Sequence, residues 1–177
     1  MESKGINLDE LDRVPYLFRD YLKDYIEILE NFLKGKLISF ILYGSVARGK
    51  WNQYSDIDIL IILENDIKSL EELEAEILEK TIKFENKNEL VSSSGKKLYI
   101  TFQLLILREK DLKKFRTLFY DVALDGIILY DKNDTGFNFI KEIRKQIEEK
   151  KLKRIFISED DFYWEREGIK YGDIFEL

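Results

Sequence analysis

The chain has 177 residues, which suits a single domain, and its core material is ample because 45% of the residues are hydrophobic, with twelve Phe and ten Tyr among them. Its formal net charge of −6 disfavours a general nucleic-acid binder but allows phosphate binding through metal ions. The absence of Cys and His excludes disulfides, thiolate chemistry, imidazole bases and His-ligated zinc, so any metal would need oxygen ligands, as magnesium, manganese and calcium do.

The N-terminal part of the sequence predicts an amphipathic helix. Apolar residues recur every three or four positions over residues 8–34. Pro15 lies near the start of this helix or separates a short first turn from it. Gly35 follows as a C-cap.

Two buried strands and a turn are predicted next. Short runs rich in Ile, Leu and Phe predict strands over residues 37–43 and 56–63. The segment between them predicts one helical turn at residues 46–49 and a polar loop at residues 50–55.

The middle of the chain predicts a helix, a loop and a long strand. Helical spacing returns over residues 67–81, where Ser69 and Glu72 resemble a capping box. Residues 86–97 are charged and Ser-rich, which is typical of a loop, and residues 98–107 predict a strand.

The C-terminal part alternates again between helices and strands. The predicted elements are helices over residues 109–123 and 135–151 and strands over residues 127–130 and 154–158. The last segment is too apolar for a free tail and is expected to pack on the domain or on a partner, through Phe162, Tyr163, Trp164, Ile169, Tyr171, Ile174 and Phe175. The whole pattern predicts an α/β or α+β fold with a mixed sheet and helices packed against it.

Two short motifs carry the functional prediction. A strand that ends in Gly44-Ser45 can turn sharply, and the amides and hydroxyl of such a turn can cradle a phosphate. Ten residues later, Asp56 and Asp58 lie on one face of the next strand and can bind divalent cations together. Arg48 can fold back over the phosphates, although a surface ion pair is an equal alternative for it.

At these residues the sequence resembles the minimal nucleotidyltransferases of the DNA polymerase beta superfamily, in its longer archaeal form. The resemblance covers Gly44 to Gly49, Ser55 to Leu60 and the apolar strands around them. It implies transfer of a nucleoside monophosphate from a metal-bound triphosphate, ATP above all, to a hydroxyl group. It also implies that Gly44 and Ser45 bind phosphates and that Asp56 and Asp58 are the catalytic ligands of Mg²⁺ or Mn²⁺.

One departure from the family pattern concerns a third carboxylate, which active members carry on the strand beside the Asp-x-Asp strand. Here that strand is predicted over residues 97–107 and contains no acid. Thr101 and Gln103 are its interior polar residues and occupy the possible third position, although a hydrogen bond at the edge of the core is the more ordinary role for Gln103. Three acids nearby in sequence are alternatives: Glu85, Glu89 and Glu109.

These observations predict a magnesium-dependent enzyme in a single domain, with a core over residues 36–131 and a C-terminal extension over residues 132–177. The acceptor is expected to be a small molecule, an RNA or a helical partner protein. The sequence also allows a homodimer. The missing acid supports an alternative, a catalytically weak nucleotide-binding module that acts through a partner as antitoxins do. With no apolar N-terminal signal or membrane span, the protein is expected in the cytoplasm, and the Lys, Glu and Ile content weakly indicates a thermophile.

Overall fold

The computed structural model describes residues 5–92, 94–158 and 161–168, so the tail residues Ile169, Tyr171, Ile174 and Phe175 lie outside the described part. The helices are α1 (Leu8–Leu11), α2 (Tyr16–Leu33), α3 (Gly44–Ala47), α4 (Leu70–Lys87), α5 (Leu118–Asp125) and α6 (Thr135–Glu149), with a 3-10 helix at Glu109–Lys113. The strands are β1 (Leu37–Tyr43), β2 (Ile57–Leu63), β3 (Leu90–Val91), β4 (Lys97–Leu98), β5 (Phe102–Arg108), β6 (Ile127–Asp131), β7 (Leu152–Phe156) and β8 (Phe162–Arg166).

A four-stranded mixed sheet in the order β5-β2-β1-β6 forms the centre of the fold. β1 is antiparallel to both β2 and β6, whereas β2 and β5 are parallel. β1 is buried along its whole length, and β2 is buried except at Asp58. Helices cover both faces of the sheet, which is why these two strands read as continuous apolar runs. The predicted fold class is confirmed.

The two faces of the sheet pack against different helices. Alternate residues of β2, such as Ile59, belong to the core formed with α2 and α4, where the ring of Tyr25 stacks on Phe102 at 4.2 Å. The intervening residues, such as Leu60, belong to the core formed with α5 and α6. Asp58 shares the parity of Leu60 and therefore lies on the α5 face of the sheet.

The predicted N-terminal helix is divided into two helices, α1 and α2. Pro15 separates the short first turn from the main helix, which confirms the second of the two alternatives for this residue. Pro15 precedes the first turn of α2, where its missing N–H costs nothing. The predicted C-cap is wrong by one residue, because Lys34 takes the left-handed cap conformation and Gly35 follows with a φ of 86°.

Helix α4 extends to Lys87, beyond the predicted end at residue 81. The Ser69 hydroxyl accepts a hydrogen bond from the Glu72 amide at the predicted N-cap. Thr81 breaks the apolar pattern but is buried, because its hydroxyl shares a 2.7 Å hydrogen bond with that of Tyr25. Phe84 then continues the buried face of the helix.

The predicted loop and strand over residues 86–107 are rearranged. The loop contains the short hairpin β3–β4, and the predicted long strand is interrupted at residues 99–101. The amide of Phe102, the first residue of the edge strand β5, donates to the Glu85 carboxylate at 2.7 Å.

The predicted helix over residues 109–123 is also wrong in part. A 3-10 helix occupies its first third, held by an ion pair in which Arg108 donates to Asp111 at 2.9 Å. The regular helix α5 begins only at Leu118. The predicted strand near residue 154 is β7, and it pairs with β8 in an antiparallel hairpin, here called the C-terminal hairpin. Within the described part of the chain, no helix combines the length and the apolarity that a membrane span requires.

Candidate active site

The turn after β1 brings the Gly-Ser motif against the second aspartate. Helix α3 begins at Gly44, two residues earlier than the helical turn predicted from sequence. Gly44 has a φ of 72°, and a Cβ atom at this position would lie 2.0 Å from Oδ2 of Asp58. Only glycine therefore allows the Asp58 carboxylate to lie directly against the turn. No side chain caps the start of α3.

The two aspartates of the motif differ in their surroundings. Asp58 is in β2, paired with Tyr43 of β1 and with Gln103 of β5. Burial is the main cause that raises the pKa of Asp58 to about 6; the negative charge of Asp56 raises it further, and Arg48 opposes both. Asp56 immediately precedes β2, and its Oδ1 accepts a 2.9 Å hydrogen bond from the Thr101 hydroxyl.

Strand β5 lies beside β2, as predicted, and contains no acid between Phe102 and Arg108. The three acids considered as substitutes have other partners. Glu85 accepts the Phe102 amide, Glu89 pairs with Lys97, and Glu109 accepts the Asn65 side-chain amide at 3.0 Å. Over residues 5–92, 94–158 and 161–168, no group of three or more acidic side chains is arranged to hold a metal ion.

Arg48 follows α3 as its C-cap residue and forms an ion pair with Asp125 of α5 at 3.1 Å. The pair is more buried than the surface pair considered from sequence, since only 17% of the Arg48 side chain and 11% of the Asp125 side chain are exposed. The Nε atom of Arg48 is buried without a hydrogen-bond partner.

A cavity of about 330 Å³, at the small end of the range for ligand pockets, joins the Gly-Ser turn, Arg48 and Asp58. Asp56 is not among the residues that line it. It is lined by Tyr43, Gly44, Ser45, Arg48, Asn52, Ser55, Asp58, Leu118, Asp121 and Phe162. Two larger clefts, of about 1090 and 1440 Å³, lie along α6 and contain none of the motif residues. The small cavity is the better candidate for the active site because both the Gly-Ser turn and Asp58 line it.

Sequence reasoning missed several residues of this cavity. Asn52 and Ser55 lie in the loop between the two motifs, so their position in the sequence was a usable signal. Leu118 and Asp121 of α5 and Phe162 of the C-terminal hairpin had no such signal, because they are distant in sequence and reach the cavity only through the packing of α5 and the hairpin.

The family model described as a nucleotidyltransferase domain matches residues 22–174. The chain belongs to this family. This nucleotidyltransferase is 27% identical over 144 residues to "Putative protein adenylyltransferase MJ1305" of Methanocaldococcus jannaschii, covering 81% of the chain and 91% of the relative. A second relative from the same organism, "Putative protein adenylyltransferase MJ0604", is 40% identical over 45 residues, which are 25% of the chain and 45% of the relative. A crystal structure of a toxin-antitoxin with AMP-PNP is 18% identical, covers 71% of this chain and 86% of that chain, and has a TM-score of 0.45.

The match confirms the predicted family and the predicted class of activity, which is enzymatic transfer of a nucleoside monophosphate from a nucleoside triphosphate to a hydroxyl acceptor. Nucleotidyltransferases generally use a divalent cation.

Proposed function

We propose that this nucleotidyltransferase transfers the AMP group of ATP to a hydroxyl group of a partner protein. The observation that carries the proposal is the contact between Gly44 and Asp58. A Cβ atom on Gly44 would collide with the Asp58 carboxylate, so only glycine lets this carboxylate lie against the Gly-Ser turn. A triphosphate bound at Gly44 and Ser45 would therefore have its phosphate groups next to the Asp58 carboxylate. The name and 91% coverage of the first relative support a protein acceptor.

Asp56 and Asp58 are the residues that would hold Mg²⁺ or Mn²⁺. Magnesium is commonly bound by one or two protein carboxylates together with substrate phosphates, and this donor set fits that pattern. Asp58 is partly buried beside a second carboxylate, which raises its pKa, and a divalent cation would relieve this repulsion. When bound, the cation would stabilise the charge that develops on the transferring phosphoryl oxygens.

Gly44, Ser45 and Arg48 are the proposed phosphate ligands. The uncapped start of α3 offers backbone amides to the phosphates, and Ser45 adds a hydroxyl. Arg48 lines the same cavity, so its guanidinium can contact phosphate while Nη1 keeps the ion pair with Asp125.

In the proposed reaction the acceptor oxygen forms a bond to the α-phosphorus of ATP, the bond from that phosphorus to the bridging oxygen breaks, and pyrophosphate leaves. The acceptor loses its proton to one of the two carboxylates, because Thr101 and Gln103 at the third position are not bases. Both of these side chains are exposed, so a large acceptor can approach from the β5 side. The net charge of −6 favours a protein acceptor over RNA.

The test uses ATP labelled at the α-phosphate and, in parallel, at the γ-phosphate, with protein from the cells in which the chain is expressed. Label on a protein band from α-labelled ATP only is the expected result for wild type, and Asp56→Asn/Asp58→Asn should abolish it. The control is Asp66→Asn, which changes an acid in the loop that follows the far end of β2. Label from γ-labelled ATP, or an equal band in the double variant, would refute the proposal.

A second candidate, nucleotide binding without efficient transfer, is favoured by one observation: β5 places Gln103 beside Asp58 where a third carboxylate would stand. Isothermal titration of Mg–ATP separates the two. Binding that depends on Asp58, together with no labelled protein under any condition, would support this candidate over the first.

A further inference from the structure

Four charged side chains form a buried cluster between the phosphate turn and the C-terminal hairpin. Asp121 and Asp125 are one turn apart on α5, Arg48 follows α3, and Arg154 comes from β7. Arg154 donates to both oxygens of Asp125 through Nη1, at 3.0 and 2.8 Å, and its Nη2 lies 3.3 Å from Oδ1 of Asp121. Arg48 donates to the same Asp125 at 3.1 Å.

The cluster is enclosed and its formal charges balance. The exposed fractions of the side chains are 7% for Arg154, 11% for Asp125, 17% for Arg48 and 21% for Asp121. Charges removed from water to this degree interact strongly with one another, and an unbalanced one is costly. Two carboxylates face two guanidinium groups, and both guanidinium groups retain a buried Nε without an acceptor.

Asp121 links this cluster to the active-site cavity, because it lines the cavity together with Arg48. If Arg154 were absent, two carboxylates would face Arg48 alone. The positive potential of Arg48 would then be cancelled by Asp125, and the remaining charge of Asp121 would repel a triphosphate in the same cavity.

We propose that Arg154 of the C-terminal hairpin is a positioning residue for nucleotide binding. Its single positive charge offsets one of the two carboxylates, so that together with Arg48 the cluster stays neutral and no unbalanced carboxylate repels a triphosphate beside Arg48. This inference rests on the proposed phosphate role of Arg48. It assigns the hairpin a function in nucleotide binding, although none of the described charged side chains of β7 and β8 lines the cavity.

The experiment titrates the full chain with Mg–ATP and with magnesium tripolyphosphate, which lacks the nucleoside. We expect R154Q to weaken binding of both about tenfold, because one unbalanced carboxylate charge remains near the phosphates. R154K keeps the charge and should stay within about threefold of wild type. The double variant R154Q/D121N restores the balance and should recover most of the lost affinity.

The matched control on the same hairpin is W164F, which removes the 3.1 Å hydrogen bond from the Trp164 indole to Asp121 but changes no charge. We expect its affinity to stay within twofold of wild type, whereas an effect as large as that of R154Q would show that hairpin docking, not charge, is what matters. D121N alone keeps Arg154 in place and should strengthen tripolyphosphate binding; unchanged or weaker binding would overturn the inference even if R154Q does not fold.

Failure of the inference can be told from failure of the proposed function. If R48A and D58N bind Mg–ATP as wild type does, the phosphate and metal roles are wrong. If those two variants lose affinity but R154Q does not, only the role of Arg154 is wrong.

Discussion

The charged side chains are balanced differently at the two ends of the candidate active site. At the phosphate end, Arg48 lies in a closed cluster in which every charge has a partner within the protein. At the acid end, Asp56 accepts a hydrogen bond from Thr101, which precedes β5, and Asp58 pairs with Gln103 of β5, so both of these neighbours are neutral. Under the proposed function, the phosphate end is therefore preorganised by the protein, whereas the acid end would be completed by a bound cation.

This difference shows where each end is sensitive. Preorganised groups lose function when a neighbour moves, because their geometry is set by packing. Unbalanced carboxylates respond to protons and cations, because these are the species that remove the repulsion between them. Four predictions test this contrast, and they follow in order of decreasing effect.

The largest effect is expected where the two ends touch, at Gly44. Gly44→Ala would place a Cβ 2.0 Å from the Asp58 carboxylate and displace it, so we expect adenylyl transfer to fall at least about 100-fold, measured as initial rate. The matched control is Gly49→Ala. Gly49 also has a positive φ, 69°, but a Cβ there would meet no atom within 4 Å.

Both glycine variants should lose roughly 1–2 kcal/mol of unfolding free energy in thermal melts, since both force alanine into the left-handed region. Only Gly44→Ala should lose the activity. An equal loss of activity in both variants would mean that backbone strain, and not the contact with Asp58, explains the glycine.

Completing the acid end should increase activity. Gln103→Glu places a carboxylate beside Asp58 on an exposed position of β5, where it can take the acceptor proton. We expect the rate at saturating Mg²⁺ to rise about tenfold, within the range for general bases. Gln103→Ala provides the baseline, and a rate for the glutamate variant no higher than this baseline would show that the site does not lack a base.

The affinity for Mg²⁺ should depend on pH through Asp58. Its pKa is raised to about 6, so the cation must displace a proton below that pH, and affinity should fall about tenfold between pH 7 and pH 5. The sign for stability is opposite: without metal, the contribution of Asp58 to folding is complete below its ordinary pKa of 3.8 and is lost as the pH rises through about 6.

Isothermal titration with Mg²⁺ in two buffers of different ionisation enthalpy measures the protons released. We expect nearly one proton per cation at pH 5 and almost none at pH 8. An affinity for Mg²⁺ that does not change between pH 5 and pH 8 is incompatible with a raised pKa at Asp58.

The smallest effect is expected at Thr101, which orients Asp56 through one hydrogen bond of 2.9 Å. Thr101→Val should weaken the apparent affinity for Mg²⁺ about fivefold, the value of a single hydrogen bond to a partly exposed group. Thr101→Ser keeps the hydroxyl and should behave as wild type. If valine and serine are equivalent, the hydrogen bond does not orient Asp56.

Much of the fold follows from local pattern. The apolar runs of β1 and β2 predict buried strands within a residue of their observed bounds, because a strand covered on both faces is apolar at nearly every position. The exceptions are Ser39 and Asp58. The pattern is less informative where side chains replace regular hydrogen bonds. The predicted long strand is interrupted at residues 99–101, and the Arg108–Asp111 ion pair accompanies a 3-10 turn in place of the first third of a predicted helix.

By itself the sequence determined the family, the spacing of Gly44-Ser45 and Asp56-Ile57-Asp58, and the absence of an acid from the neighbouring strand, since these depend only on residue identity and order. Only the tertiary structure decided that Arg48 pairs with Asp125, that Asp121 and Phe162 line the cavity, and that Arg154 closes the charge cluster. The contact between Arg48, after α3, and Asp125 of α5 joins residues that are 77 positions apart in sequence. The C-terminal hairpin joins the same cluster. Local periodicity does not predict contacts between residues so far apart. The residue that balances a buried charge depends on which elements of the fold pack together, so the local sequence does not identify it.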